Sequence, residues 1–327
     1  MTTRESASPP VGSAWDEYWR LTREAAAHKG GGPQEEILAR FWTSFFGDLR
    51  TQKAAPRVLD VACGNGAVTG FALTAAGSSG ALADVVGIDT SLAAVRDLRA
   101  RFPSALAAVC DAVKTPFADR SFDVVASQFG LEYAGVAAFD EASRLVARGG
   151  TLAAILHLRA GAIYRECGAN LQAILGVQSS GVLSAARDLF RVRGPSAPGR
   201  TLAEVQRSQT KLEKALRDVE KVLRRRGEHV AGGVVRRLHV DLTRMSARAA
   251  AYNLVEVIRW IDNTARELEA YAGRMSSMLA AALDDRGLEK TVEVIERQGL
   301  SVRIRDTLEM GAVRPEPGAW VLVCDRA

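Results

Sequence analysis

The feature that most constrains the fold is an alternation of short apolar runs with helical segments between Arg57 and His157. Five runs predict β-strands, and they read RVLDVAC, DVVGID, ALAAVCD, FDVVASQF and GTLAAILH. Near-continuous apolar runs are typical of parallel strands that are covered on both faces. The alternation therefore predicts an α/β fold with a doubly wound, mostly parallel sheet and right-handed crossovers.

The rest of the chain adds two strands and a long helical stretch. The segments LSVRIRDTLEM and AWVLVCDRA predict an antiparallel pair that completes a seven-stranded sheet. From about Arg159 to Asp285 the periodicity is helical almost throughout, which predicts an inserted α-helical subdomain. Within it, TLAEVQRSQTKLEKALRDVEKVLRRR fits either a short coiled coil or a long helix packed on its neighbour, and we favour the packed helix.

Composition narrows the function classes. The 327 residues carry a formal net charge of +5, which permits an anionic partner without requiring one. The four cysteines are scattered without metal-ligand spacing, which predicts reduced thiols in a cytoplasmic protein and no metal site. The first residues, MTTRESASPP, lack the apolar segment of a secretory signal. No run approaches the roughly 18 apolar residues that a membrane span requires.

A glycine-rich turn, CGNGAVTG, follows the first predicted strand. Thr69 stands where a nicotinamide-binding fingerprint has its third glycine, and no Gly-Lys-Ser or Gly-Lys-Thr follows, which excludes a P-loop. Asp60, at the end of the strand, suits a ligand that carries positive charge. S-adenosylmethionine fits because it has an ammonium and a sulfonium group but no phosphate.

The motif VLDVACGNG resembles the first motif of class I S-adenosylmethionine-dependent methyltransferases, especially the small-molecule group that includes the ubiquinone-biosynthesis type. Ala62 stands where that motif usually has its first glycine, whereas Gly64 and Gly66 match the other two. The resemblance covers about Arg57 to His157 well and the last two strands weakly, and it does not extend to the helical stretch. It implies the Rossmann-like methyltransferase fold.

The resemblance also implies a cofactor site at the carboxyl ends of the strands. Asp89 would accept the ribose hydroxyls and Asp111 the adenine amino group, with a backbone amide from Ala112 nearby; Gln128 and Phe129 would line the methyl-transfer pocket. Taken alone, Asp89 could instead cap the following helix and Asp111 could be an ordinary loop residue. The predicted cofactor-binding residues are Asp60, Ala62, Cys63, Gly64, Asn65, Gly66, Asp89, Thr90, Asp111, Ala112, Gln128, Phe129 and Tyr18.

The N-terminal aromatic residues Trp15, Tyr18 and Trp19 resemble the lid that closes over the cofactor in this family, although packing explains them equally well. We therefore divide the chain into five parts. They are a disordered tail (1–13), N-terminal helices that form the cofactor lid (14–56), the cofactor-binding α/β core (57–158), the helical insertion (159–285), and the last helix with the strands that complete the sheet (286–327).

Catalysis needs a general base only if the acceptor must lose its proton early, as a hydroxyl does. His157, at the end of the fifth strand, is the preferred candidate, and Glu132, after the fourth, could be catalytic, acceptor-orienting or structural. Ser127-Gln128-Phe129-Gly130 replaces the D/N-P-P-Y motif of DNA amino-methyltransferases, and no Pro-Cys pair is present for cytosine C5 chemistry. A small-molecule or carrier-linked acceptor is therefore favoured.

Two alternatives remain open from the sequence: an RNA methyltransferase that docks through basic helices, and a non-catalytic cofactor-binding protein that uses its helical arm for partner contacts. The helical insertion could act as a substrate lid or as the interface of a homodimer. Tyr164, Arg165, Asn253, Arg259 and Trp260 could face an acceptor, but solvent or core roles are expected for each. The run LRRRGEH could touch an anion, although a solvated helix end accounts for it.

Overall fold

A computed structural model describes residues 15–16, 18–19, 33–52, 55–77, 84–193, 201–310 and 315–327. The predicted disordered tail, residues 1–13, lies outside this range, as do most of residues 14–32 of the predicted N-terminal helices. No helix in the described part of the chain combines the length and apolar character needed to cross a bilayer.

Besides the helical residues 15–16 and 18–19, the described part of the chain contains seven strands and ten helices. The strands are β1 (Arg57–Val61), β2 (Asp84–Asp89), β3 (Leu106–Val109), β4 (Phe122–Gln128), β5 (Val146–His157), β6 (Leu300–Met310) and β7 (Glu316–Arg326). The helices are α1 (Pro33–Gln52), α2 (Ala67–Gly77), α3 (Leu92–Arg101), α4 (Val136–Leu145), α5 (Ala162–Ser180), α6 (Val182–Arg193), α7 (Leu202–Arg226), α8 (Val234–Ala247), α9 (Leu254–Ala281) and α10 (Asp285–Arg297). Short 3₁₀ turns lie at Leu131–Ala134, Val230–Gly233 and Ala249–Ala251.

The strands form one sheet in the order β3-β2-β1-β4-β5-β7-β6. The first five strands are parallel, and β7 pairs antiparallel with both β5 and β6. This confirms the predicted seven-stranded, mostly parallel sheet and its antiparallel completion. The strand order reverses between β1 and β4, and in open α/β sheets ligands bind at the carboxyl edge beside such a reversal.

The sheet core explains why the central strands are so apolar. In β1 all residues after Arg57 are buried, and the last eight residues of β5 are buried as well. Helices α4 and α10 cover one face through Phe139, Leu145 and Ile295, which join a cluster that includes Leu59 and Leu152. The polar residues that end these strands are therefore fixed in place by a packed interior.

Residues Glu166–Ser276 form a second compact unit with its own hydrophobic core. Helix α7 packs against α6 and α8 and buries Leu212, Leu216 and Val219. The packed-helix interpretation of this segment is thus confirmed, whereas Leu202, at its first heptad position, is 76% exposed. This unit lies within the segment expected to be the helical insertion.

A buried arginine fastens the end of the chain to two helices. Arg326 is 7% exposed, and its guanidinium donates to the carbonyls of Gln298, at 2.6 Å, and Ser143, at 2.7 Å. These carbonyls lie at the carboxyl ends of α10 and α4, and the Ser143 carbonyl also accepts from the N–H of Val146, which follows α4.

We expect Arg326→Ala to lower the free energy of unfolding by about 3 kcal/mol, since it removes two charge-assisted hydrogen bonds of a buried side chain. Urea unfolding followed by circular dichroism measures this. Arg303→Ala is the control, because the pair of Arg303 with Asp325 is exposed and such pairs contribute about 0–1 kcal/mol. Equal losses in the two variants would contradict the role assigned to Arg326.

Candidate functional site

The turn between β1 and α2 adopts backbone conformations that explain its small residues. Ala62, Gly64 and Gly66 have φ angles of 53°, 53° and 92°. At Gly64 the absence of a side chain also permits close approach, because a Cβ there would lie 2.7 Å from the Trp19 ring. The Cys63 N–H donates to the Ile88 carbonyl at 3.0 Å, which holds the turn against β2.

The buried carboxylate of Asp60 accepts two hydrogen bonds from Thr69. Its Oδ2 accepts from the backbone N–H of Thr69, at 2.9 Å, and from the Thr69 hydroxyl, at 2.8 Å. Burial raises the pKa of Asp60 to about 7, although the bonds from Thr69 oppose that increase. Asp60 therefore fastens α2 to β1, and its contact with a cationic ligand stays a prediction.

Asp89 connects the glycine turn to the next helix. Its Oδ2 accepts from the Gly64 N–H at 2.9 Å, and its Oδ1 accepts from the Ser91 N–H at 2.8 Å. Burial raises the pKa of Asp89, while bonds from Ser91, Gly64 and Thr90 partly offset the increase. The cap of α3 is Ser91, whose hydroxyl accepts from the Ala94 N–H, so helix capping does not account for Asp89.

Asp111 lies at the same edge, after β3. The Cys110 N–H donates to the Asp89 carbonyl at 3.0 Å, which places the two strand ends side by side. The Asp111 side chain is exposed and its Oδ1 accepts from the Val113 N–H at 3.0 Å. Glu141 of α4 holds the end of this loop by accepting from both the N–H and the hydroxyl of Thr115.

The remaining turn residues have distinct environments. Cys63 is buried, and burial raises the pKa of its thiol well above the ordinary value. Asn65 is buried, and its carbonyl accepts from Arg101 at 3.3 Å. Thr90 is exposed and Ala112 is half-buried, so both lie near the surface of the carboxyl edge.

The N-terminal aromatic residues lie on the glycine turn. Tyr18 and Trp19 are each 8% exposed and pack with Ala94 of α3. Trp15 stacks on Trp19 with ring centroids 6.4 Å apart. Nearby, Asp16 accepts from the Ser91 hydroxyl at 2.8 Å, which connects the N-terminal segment to the start of α3.

Gln128 and Phe129 end β4 in different ways. The Gln128 amide oxygen accepts from the indole N–H of Trp42, which is fully buried in α1, at 2.7 Å. Phe129 has a φ of 55°, and its ring lies 4.4 Å from the His157 ring, centroid to centroid. Trp42 is not among the predicted site residues, because in the sequence it is one of several apolar residues on one face of α1.

The structure brings His157 and Glu132 together. Glu132 lies on the 3₁₀ turn after β4, and its Oε1 is 2.7 Å from the His157 Nδ1 and 3.0 Å from the His157 backbone nitrogen, whose N–H donates to it. Both residues are buried, at 5% and 3% exposure. The His157 Nε2 is also buried and has no hydrogen-bond partner among the described residues.

This arrangement determines what the imidazole can do. A carboxylate beside Nδ1 favours the tautomer with its proton on Nδ1, which leaves a lone pair on Nε2. The Tyr133 ring meets the His157 ring edge-on at 5.7 Å, and Trp15 meets Tyr133 edge-on at the same distance. The Nε2 of His157 is therefore a proton acceptor that lies among aromatic rings at the carboxyl ends of β4 and β5.

Three of the five other acceptor candidates have structural partners, whereas Tyr164 is half-buried and Arg259 is exposed. Arg165 pairs with Glu316, and Asn253 caps α9 by accepting from the Val255 N–H at 2.9 Å. Trp260 packs on the core of the helical unit. Among residues that the sequence analysis passed over, Leu92 and Val113 follow β2 and β3 and are 48% and 37% exposed, which is unusual for large apolar side chains at a packed edge.

Two small residues allow the glycine turn and the loop after β4 to touch. A Cβ added to Gly130 would lie 2.5 Å from the Ala62 Cβ and 3.3 Å from the Val61 carbonyl oxygen. Only a residue without a side chain fits there while Ala62 is present. The Cβ of Ala62 thus limits the residue at position 130 to glycine, while Ala62 itself adopts a left-handed backbone conformation.

We expect Gly130→Ala to lower the free energy of unfolding by about 2 kcal/mol through overpacking. Adding Ala62→Gly should restore at least half of that loss, because it removes the nearest clashing atom and relieves a left-handed alanine. Gly47→Ala is the control, since nothing lies within 4 Å of a Cβ at that helical position. Additive effects of the two substitutions in thermal unfolding would contradict the contact.

Comparison with known proteins agrees with the motif analysis. The model of a methyltransferase domain matches residues 59–154. Comparison with curated protein sequences gives no significant match.

Three solved structures are among those similar to the chain. The methyltransferase complexed with the Trm112 activator of Haloferax volcanii is 21% identical, covers 46% of this chain and has a TM-score of 0.35; the chain spans 61% of its length. Geranyl diphosphate C-methyltransferase from Streptomyces coelicolor A3(2) is 12% identical over 98% of this chain and 99% of its own, with a TM-score of 0.46. An S-adenosylmethionine-dependent methyltransferase from Methanosarcina mazei is 12% identical over 84% and 93%, with a TM-score of 0.40.

The sheet order, the glycine turn with its aspartates and the matching domain model lead to one family. Residues 59–154 form a methyltransferase domain of the class I, S-adenosylmethionine-dependent type.

Proposed function

We propose that this protein transfers a methyl group from S-adenosylmethionine to a hydroxyl group of a small or carrier-linked acceptor. The observation that carries the proposal is the buried pair of Glu132 and His157, with an Nε2 that has no partner among the described residues. A buried polar atom without a partner is costly, and a catalytic role is one reason for such an atom to persist. What distinguishes the His157 Nε2 from the buried Nε2 of His239 is its place at the carboxyl ends of β4 and β5, beside Glu132 and Phe129.

The residues at the carboxyl edge fit the cofactor chemically. The Asp89 carboxylate uses one lone pair on each oxygen for backbone N–H groups, so each oxygen retains capacity to accept a ribose hydroxyl. The turn at Gly64 would allow a ligand to approach the backbone if the Trp19 ring moves or stacks beside it. The exposed Leu92 and Val113 would offer apolar contact to a flat purine.

When bound, S-adenosylmethionine would supply a methyl group on a sulfonium whose carbon–sulfur bond leaves its electrons on sulfur. His157 would accept the proton of the acceptor hydroxyl on Nε2. Glu132 keeps the imidazole in the required tautomer and stabilises the imidazolium that forms. Phe129 and Tyr133 exclude water from that proton transfer.

A second candidate function is methylation of an RNA hydroxyl. The observation that favours it is the charge of the helical unit, where residues 166–276 contain 19 Lys and Arg but only 12 Asp and Glu. Anionic nucleic acid is attracted to such a surface.

The proposal predicts which atom is methylated. Purified protein is incubated with a cell extract and methyl-labelled cofactor, and the labelled product is isolated and its structure is determined. We expect the label on oxygen, in a product whose formation is lost with His157→Ala. A label on nitrogen or carbon that persists with His157→Ala would contradict hydroxyl methylation.

A further inference from the structure

The net positive charge of the chain comes from the helical unit, residues 166–276. Residues 166–276 carry 19 basic and 12 acidic side chains, whereas the rest of the chain carries 24 basic and 26 acidic ones. The net charge of +5 is therefore the difference between a basic unit and a slightly acidic remainder. The helical unit by itself is therefore basic, which favours the approach of an anionic partner.

Helix α7 presents much of this charge on one face. It begins with a capping box of Thr201 and Glu204, and it buries Leu212, Leu216 and Val219 against the core of the unit. On the opposite face, basic residues recur at spacings of three and four, which aligns them along the helix. This basic stripe consists of Arg207, Lys211, Lys214, Arg217, Lys221, Arg224 and Arg225, all of them exposed.

Local structure accounts for only part of the stripe. Lys211 pairs with Asp188 at 2.7 Å and Lys221 with Asp218 at 2.6 Å, whereas the other five basic residues form no ion pair within the described part of the chain. The helix dipole favours Arg224 and Arg225 in the last turn but does not reach the residues upstream. Upstream of the last turn, Arg207 therefore has neither an ion pair nor the helix dipole to account for it, and Lys214 and Arg217 have only the nearby charge of Asp218.

We propose that the basic stripe of α7 binds the sugar-phosphate backbone of base-paired RNA. From Arg207 to Arg225 the stripe extends about 27 Å at 1.5 Å per residue, which is long enough to follow several phosphates. No exposed residue of α7 within that span is aromatic or apolar. The helix thus lacks the rings that stack single-stranded bases and the apolar face that enters a lipid surface.

The choice of RNA over DNA rests on the second candidate function, methylation of an RNA hydroxyl. The 2′-hydroxyl is an acceptor that RNA has and DNA lacks, and His157 is placed to deprotonate a hydroxyl. The residues Ser127–Gly130 also differ from the D/N-P-P-Y motif of DNA amino-methyltransferases. RNA binding is measured without methyl transfer. A loss of binding through the basic stripe can therefore be distinguished from a loss of base catalysis by His157.

The experiment uses the full-length protein and a fluorescently labelled RNA duplex of about 20 base pairs, with binding followed by anisotropy at several salt concentrations. We expect saturable binding whose affinity falls steeply as salt rises, because phosphate contacts release counterions. The triple variant Lys214→Glu, Arg217→Glu, Lys221→Glu should bind at least about 100-fold more weakly. Replacing Lys214 and Lys221 with arginine should preserve binding.

The matched control reverses three exposed charges elsewhere in the same unit, namely Arg191→Glu, Arg244→Glu and Arg248→Glu. It should retain most of the affinity, and circular dichroism establishes that both triple variants fold. Absence of saturable binding at low salt, or an equal loss in both variants, would overturn the proposal. Tighter binding to the corresponding DNA duplex than to the RNA, or binding only to vesicles that contain anionic lipid, would also overturn it.

Discussion

Substituting His157 with alanine is expected to lower the kcat of methyl transfer by about 10²- to 10⁴-fold, the contribution typical of a positioned general base. Glu132→Gln should lower it by about 10²-fold, because glutamine can still accept from the two N–H groups of His157 but has no charge to stabilise an imidazolium. Initial rates with labelled cofactor measure both effects. Affinity for S-adenosylhomocysteine should stay within about twofold of the original protein, because neither residue is predicted to hold the cofactor.

The double variant separates a positioning role from a structural one. If Glu132 acts through His157, Glu132→Gln should have no further effect on kcat once His157 is alanine. The pair of His239 and Glu220 in the helical unit is the matched control, since it is also a histidine near a glutamate, at 3.3 Å. Multiplying losses in the double variant, or equal losses from His239→Ala, would contradict the assignment of the base.

Asp89→Ala is expected to weaken the binding of S-adenosylhomocysteine by at least about 100-fold in calorimetry. Hydrogen bonds to a charged group contribute about 1.5–3 kcal/mol each, and the carboxylate would lose two ribose contacts. The same substitution removes the acceptor of the Gly64 N–H, which loosens the turn that the cofactor needs. The affinity of Asp89→Asn should lie between that of the original protein and that of Asp89→Ala, because the amide has only one acceptor oxygen.

Asp84→Ala is the control for this substitution. Asp84 begins the same strand, is about half exposed and pairs with Arg57 at 2.9 Å. Its replacement should leave the affinity unchanged and cost at most about 1 kcal/mol of stability. Unchanged affinity in Asp89→Ala, with the fold intact by circular dichroism, would remove the ribose assignment.

The sheet could be predicted from the sequence because its signal is local and repeated. Each strand from β1 to β5 is an apolar run flanked by helical periodicity, and parallel strands buried on both faces need such runs. The antiparallel β6 and β7 followed from their position after the helical stretch. The long helix α7 was predictable as a packed helix, since three of its heptad positions face the core of its unit.

The site was only half predictable. The order of Asp60, Gly64, Gly66 and Asp89 indicated a cofactor turn, but it gave no sign that Asp60 binds Thr69. Pairing of Glu132 with His157 depends on the ends of β4 and β5 lying side by side, a contact across 25 residues that no local pattern encodes. Hydrogen bonds between distant elements of this kind are determined by the packing of the whole sheet.

Hydrogen exchange with and without S-adenosylhomocysteine tests the central claim most directly, which is that the carboxyl edge of the sheet binds the cofactor. The account predicts saturable protection of the backbone amides at residues 62–66, 89–91 and 111–113, with little change along β6 and β7. Protection confined to the helical unit, or no protection at millimolar ligand, would contradict it.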